Sequence, residues 1–114
     1  MYGLIPNFFP AGAIDNYQVD TANYKSNNTT GAWRAPYTNV LASCEQSFFD
    51  ELAELMGVDR IQLHMDLLDK VKGTTDESIQ YSPERLQGVI KKVVKESNYG
   101  NSPNGVFQGF AVYY

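Results

Sequence analysis

Three stretches of this chain repeat apolar residues at every third or fourth position, with breakers between them, so any fold of it must accommodate packed helices. The strongest stripe is Leu41, Cys44, Phe48, Leu52 and Leu55. Thr38 or Asn39 is placed to cap its start, and Gly57 to end it. The stripe is expected to face the core, which makes Cys44 a buried, inert thiol rather than a nucleophile. Asp59 caps a second, shorter helix carrying Ile61, Leu63, Met65, Leu67 and Leu68. A polar loop from Gly73 to Tyr81 leads to Ser82-Pro83-Glu84, with Ser82 at the cap and Pro83 at the first helical position. The face of this third helix is Leu86, Val89, Ile90, Val93 and Val94, and the Gly and Pro residues between Tyr99 and Gly105 stop it.

The ends read differently. Gly3, Pro6, Pro10 and Gly12 break any helical period near the start. Ala13-Ile14-Asp15-Asn16-Tyr17-Gln18-Val19-Asp20 alternates apolar and polar residues, which predicts a short strand. Val106-Phe107-Gln108-Gly109-Phe110-Ala111-Val112-Tyr113-Tyr114 is a second β-rich run without a charge. The expected class is therefore α+β, three helices with two or more short strands, forming one partial domain over residues 1–114.

Several functions are disfavoured by composition. Nine basic residues are scattered among thirteen acidic ones, for a net charge of −4, so no basic face is available for nucleic acid. The cluster Lys91, Lys92 and Lys95 reads as a solvated helix face. One cysteine allows neither an internal disulfide nor an iron–sulfur or structural zinc site held by this chain alone. No apolar run approaches a membrane span, and Met1-Tyr2-Gly3 offers no basic start of a signal peptide.

Candidate chemistry is sparse. His64, the only histidine, has no second ligand at metal spacing and reads as structural or surface. Asp50 and Glu51 are neighbours about a quarter-turn apart on a helix. They are not a facing acid–base pair, and solvent or a salt bridge to another segment is expected. The segment with content is Gly31-Ala32-Trp33-Arg34-Ala35-Pro36, small residues around one aromatic and one cation just ahead of a helix. Backbone N–H groups there can approach an anion or an oxo ligand. The plain alternative is an ordinary turn with Trp33 packed into the core.

That loop, followed by Asn39-Val40 and by Ser47-Phe48-Phe49-Asp50-Glu51-Leu52-Ala53, resembles a run in the molybdopterin-binding subunits of the xanthine dehydrogenase and aldehyde oxidase superfamily. The nearest type is the β subunit of isoquinoline 1-oxidoreductase-like enzymes. Downstream, Gly57-Val58-Asp59, Leu67-Leu68, Arg85-Leu86-Gln87-Gly88-Val89-Ile90 and Gln108-Gly109-Phe110-Ala111 match the family's order of segments. The likeness runs from about Ile14 to the end. Gln46 stands where the family has Glu, Arg60 where it has Pro, and Gln108 where it often has Gly.

The resemblance implies a fragment of a larger molybdenum-cofactor-binding domain. Its parent enzyme would oxidise an N-heterocycle or an aldehyde, with water as the oxygen source and electrons leaving through iron–sulfur clusters on another domain or subunit. Arg34 would give its backbone N–H to a molybdopterin-type cofactor, Trp33 would help wall the cofactor pocket, and Pro36 would border the substrate. The family's catalytic glutamate, its cofactor-contacting glutamine and its pterin loops have no counterpart in these residues. The isolated chain is therefore expected to bind no cofactor, to be inactive, and to self-associate through its two apolar terminal segments. Its partners would be the rest of the molybdopterin subunit, the iron–sulfur subunit or domain, and a heterocyclic or aldehyde substrate. A non-catalytic interaction module with no cofactor, or a plain helical domain whose loop binds nothing, remains the other reading.

Overall fold

The three helices form where the caps direct them. In the computed structural model, which describes residues 7–31, 33–35 and 38–113, α1 spans Thr38–Met56, α2 Arg60–Val71 and α3 Pro83–Glu96. Gly57 closes α1 at φ 65°, with its N–H donating to Glu54 O (3.1 Å) and that of Val58 to Ala53 O (3.0 Å). This paired ending needs a residue in the left-handed region, which glycine enters without a Cβ penalty. The Asp59 carboxylate accepts from the Ile61 and Gln62 amides at 2.8 and 3.1 Å. Ser82 Oγ accepts from Arg85 N at 3.3 Å, with Pro83 in the first turn. Asn98 ends α3 at φ 51°, and Tyr99 N donates to Val94 O.

The helices enclose one core. Phe9, Phe49, Ala53, Leu63, Leu68, Leu86, Ile90 and Phe110 are buried together, and Leu52, Ile61, Met65, Leu67 and Val94 pack against them. Phe9 arrives from a non-helical segment that crosses the loop ahead of α3. Gln80 N donates to Asn7 O at 2.9 Å and the Tyr81 hydroxyl to Ala11 O at 2.5 Å. Gly12, at φ 79°, lies so close to Ile79 Cδ1 that a side chain there would collide with it.

The α+β expectation is overturned: the described residues contain three helices and no strand, so the fold is all-α. An alternating segment becomes a strand only when a neighbour takes its backbone hydrogen bonds. Residues 13–20 have no such neighbour among the described residues, and Ile14 and Tyr17 are each 42% exposed. Residues 106–113 are fastened by side chains instead. Phe110 enters the core, Val112 N donates to Gln46 Oε1 (3.1 Å), and Gln108 reaches back to the end of α3. Residues 20–31 run fully exposed. The radius of gyration is accordingly 16.3 Å, against about 13 Å for a compact chain of this length.

The orientation of α1 also differs from the periodic stripe. Its buried residues are Gln46, Phe49 and Ala53. Phe48 and Leu55 are 61% and 86% exposed, and Cys44 is exposed rather than buried. α2 and α3 follow their patterns more closely, although Val89 and Val93 remain half exposed.

Candidate functional site

The loop read as a cofactor wall lies at the N-terminal end of α1. Gly31, Trp33, Arg34 and Ala35 are all exposed, and Pro36, the expected substrate-bordering residue, lies outside the described residues, as do Ala32 and Tyr37. Trp33 is 79% exposed, so the alternative with its ring packed into the core does not hold. Ala35 sits at φ 55°, a conformation unfavourable for a residue with a Cβ. It turns the chain into α1, and its carbonyl accepts from Asn39 N at 3.3 Å. Among the described residues the Arg34 N–H has no hydrogen-bond partner. The first turn of α1 carries no acidic residue, so the positive end of its backbone dipole is not offset locally. Such a loop can offer backbone donors to an anion or oxo group.

The other sequence candidates divide cleanly. His64 is structural: it is 1% exposed, stacks on Phe9 at 5.6 Å and lies 4.9 Å from Phe49. Its Nδ1 is 2.8 Å from Arg60 O and therefore donates, which leaves Nε2 as a buried acceptor without a partner. Burial holds its pKa below the usual histidine value. Asp50 forms the expected salt bridge to another segment, with Arg60 Nη1 at 2.8 Å, while Glu51 points to solvent. Lys91, Lys92 and Lys95 are exposed, as expected.

Two residues that depart from the family pattern have structural tasks here. Gln46 is buried and receives Val112 N. Gln108 accepts from Gly100 N (3.0 Å) and donates to Ser97 O (3.0 Å), splinting the turn after α3. The resemblance marked both positions only as departures from its pattern, and no local signal gave these tasks. Among the described residues no group of three His, Cys, Asp or Glu side chains is arranged to hold a metal ion, and no helix is long and apolar enough to cross a membrane.

A cleft lies between the segment carrying Phe8, Tyr17 and Val19 and the outer face of α1, where Leu41, Cys44, Glu45 and Phe48 line it. Sequence reasoning missed it, because its walls come from segments far apart in the chain. No family model matches this chain, and neither a curated protein nor a solved structure matches it significantly.

Proposed function

We propose that this chain supplies one wall of the molybdenum site in a larger hydroxylase of the xanthine dehydrogenase and aldehyde oxidase type, acting on an N-heterocycle or an aldehyde. When bound, the molybdenum cofactor supplies the redox chemistry that places a water-derived oxygen on the substrate carbon. The part of this chain is to present the Arg34 backbone N–H, with Trp33 shaping the pocket and Pro36 bordering substrate. The remainder of the molybdopterin subunit brings the pterin-binding segments and the general base, and an iron–sulfur subunit or domain takes the electrons. Alone, the chain binds no molybdenum and hydroxylates nothing.

The observation that carries this reading is the exposed turn at Trp33, Arg34 and Ala35, with the Arg34 N–H unspent among the described residues, beside a helix start free of acidic residues. Backbone donors in a left-handed turn at a helix N-terminus suit an oxo or anionic ligand. The order of motifs along the chain supports it too, without a matching family model. A non-catalytic interaction module with no cofactor is the rival, supported by the exposed Phe107 and Leu55.

The test uses the parent enzyme. If the amide is the donor, Arg34→Ala retains more cofactor than Arg34→Pro, which removes the N–H. Molybdenum and pterin content of the two purified variants decides it, and equal loss or the reverse order rejects the backbone role. In the isolated chain, stoichiometric molybdenum after expression in a cofactor-competent host would overturn the expected inactivity.

A further inference from the structure

The geometry points to a second site, in the cleft beside α1, that binds an organic ammonium ion. The cleft encloses about 290 Å³, at the lower end of small-ligand sites, which start near ~300 Å³. None of Trp33, Arg34 and Ala35 lines it, so it stands apart from the loop discussed above. Three of its walls are the aromatic rings of Phe8, Tyr17 and Phe48, and Val19 and Leu41 add aliphatic surface.

Glu45 is the one carboxylate among the described residues that line the cleft. It is half-buried, and burial raises its pKa even though the Tyr113 hydroxyl donates a hydrogen bond to it. Tyr17 lines the same cleft, and its pKa is raised by burial first and by the Glu45 charge second. Among the described residues no cation forms an ion pair with Glu45. α1 carries Glu45, Asp50, Glu51 and Glu54 and neither Lys nor Arg, and the one ion pair among the described residues joins Asp50 to Arg60.

These features select a ligand class. An anion would meet the carboxylate, and a neutral apolar molecule would desolvate it further with only the Tyr113 hydroxyl to offset its charge. A metal ion would find a single carboxylate and aromatic walls. An ammonium group on apolar substituents satisfies every surface: its charge pairs with Glu45, its polarised methyl or methylene groups lie on the ring faces, and its apolar body fills the rest.

Cys44 gives a direct readout, because the only cysteine is exposed and lines the cleft. The rate of its alkylation by iodoacetamide is measured on the full chain at constant ionic strength, with choline or with dimethylbutanol, the uncharged isostere of choline. Choline is expected to slow alkylation saturably at millimolar concentration, with the alcohol needing at least about tenfold more. Glu45→Gln should weaken choline protection by about tenfold relative to its own ligand-free rate. Phe48→Leu keeps the apolar bulk and removes a ring, so it should reduce protection by choline more than by the alcohol. Equal protection by choline and the alcohol, no protection by either, or unchanged choline protection in Glu45→Gln each overturns the proposal. The comparison of the two ligands on the unaltered chain holds even if a variant folds poorly.

Discussion

Phe48 and Phe49 are adjacent on the same helix and have opposite surroundings. Phe49 is 3% exposed, with the rings of His64 and Phe9 at 4.9 and 5.3 Å. Phe48 is 61% exposed and borders the cleft. The inner face of α1 pairs Phe49 with the small Ala53 and the polar Gln46, while the outer face shows Val40, Phe48 and Leu55 to solvent. The more apolar face is thus the less buried one. Small and hydrogen-bonding residues on the inner face let α2 and the 110–112 segment come close. Apolar periodicity shows that a helix has a sticky stripe, and the shape of its neighbours decides whether that stripe is covered.

The largest effect that tests this contrast is truncation of the two rings. Phe49→Ala should cost about 3–5 kcal/mol, enough to unfold much of a marginal domain. Phe48→Ala should stay within about 0.5 kcal/mol. Urea titrations followed by circular dichroism measure both, and equal losses would mean that the outer face is covered in solution. Next comes the tie between the 7–13 segment and the core. Tyr81→Phe removes the hydroxyl bonded to Ala11 O and should cost about 1–2 kcal/mol. Tyr24→Phe, at a residue 92% exposed, should be silent. A silent Tyr81→Phe would show that the buried Phe9 and the Gln80–Asn7 bond hold the segment without the hydroxyl.

The pH dependence sharpens the same contrast, since each face carries one shifted group. His64, on the inner side, has a folded-state pKa below its ordinary 6.5, because its burial outweighs the favourable Arg60 carbonyl and the nearby Asp50 charge. The unfolded chain therefore takes up the proton first. The stability due to neutral His64 is full above pH 6.5 and is lost as the pH falls through the folded-state value. His64→Leu should flatten that loss, and an unchanged acid slope in unfolding free energy would assign the loss to other groups. The smallest effect is on the outer side. Glu45 has a raised pKa, so its contribution is present below its unfolded value and fades as the pH rises through the folded one. Glu45→Gln should then be slightly stabilising at neutral pH, by a thermal shift of a degree or so, since solvent screens a half-exposed group. A clear destabilisation would mean that the bond from Tyr113 to the carboxylate outweighs the cost of burying its charge.

Much of the helical frame was legible from short-range chemistry. Asp59, the Ser82-Pro83 pair and Gly57 act at helix ends through groups only a few residues away, and the structure uses each as expected. The exposed loop at 31–35 was also visible as a run of small residues, although the exposure of Trp33 was not. The expected strands at 13–20 and 106–114, the latter described only to 113, failed because alternation specifies two faces but cannot supply a pairing partner. Cys44 was misplaced for the same reason as Phe48: both lie on the stripe that α1 turns outward. The cleft at Glu45 had no signal at all, because Phe8 and Tyr17 reach α1 only after the N-terminal segment folds back.

The sequence alone determined the number of helices, where they begin and end, and the absence of any chemistry that needs clustered cysteines or histidines. Those properties depend on residues within a few positions of one another, where backbone geometry limits the choices to a handful. Only the tertiary structure decided which face of α1 is buried, that the alternating segments stay unpaired, and that Glu45 lines one cleft with Phe8, Tyr17 and Phe48. Each of these depends on contacts between residues tens of positions apart, where competing arrangements bury similar apolar area and the fit of particular side chains, Ala53 under α2 and Gln46 under Val112, selects among them.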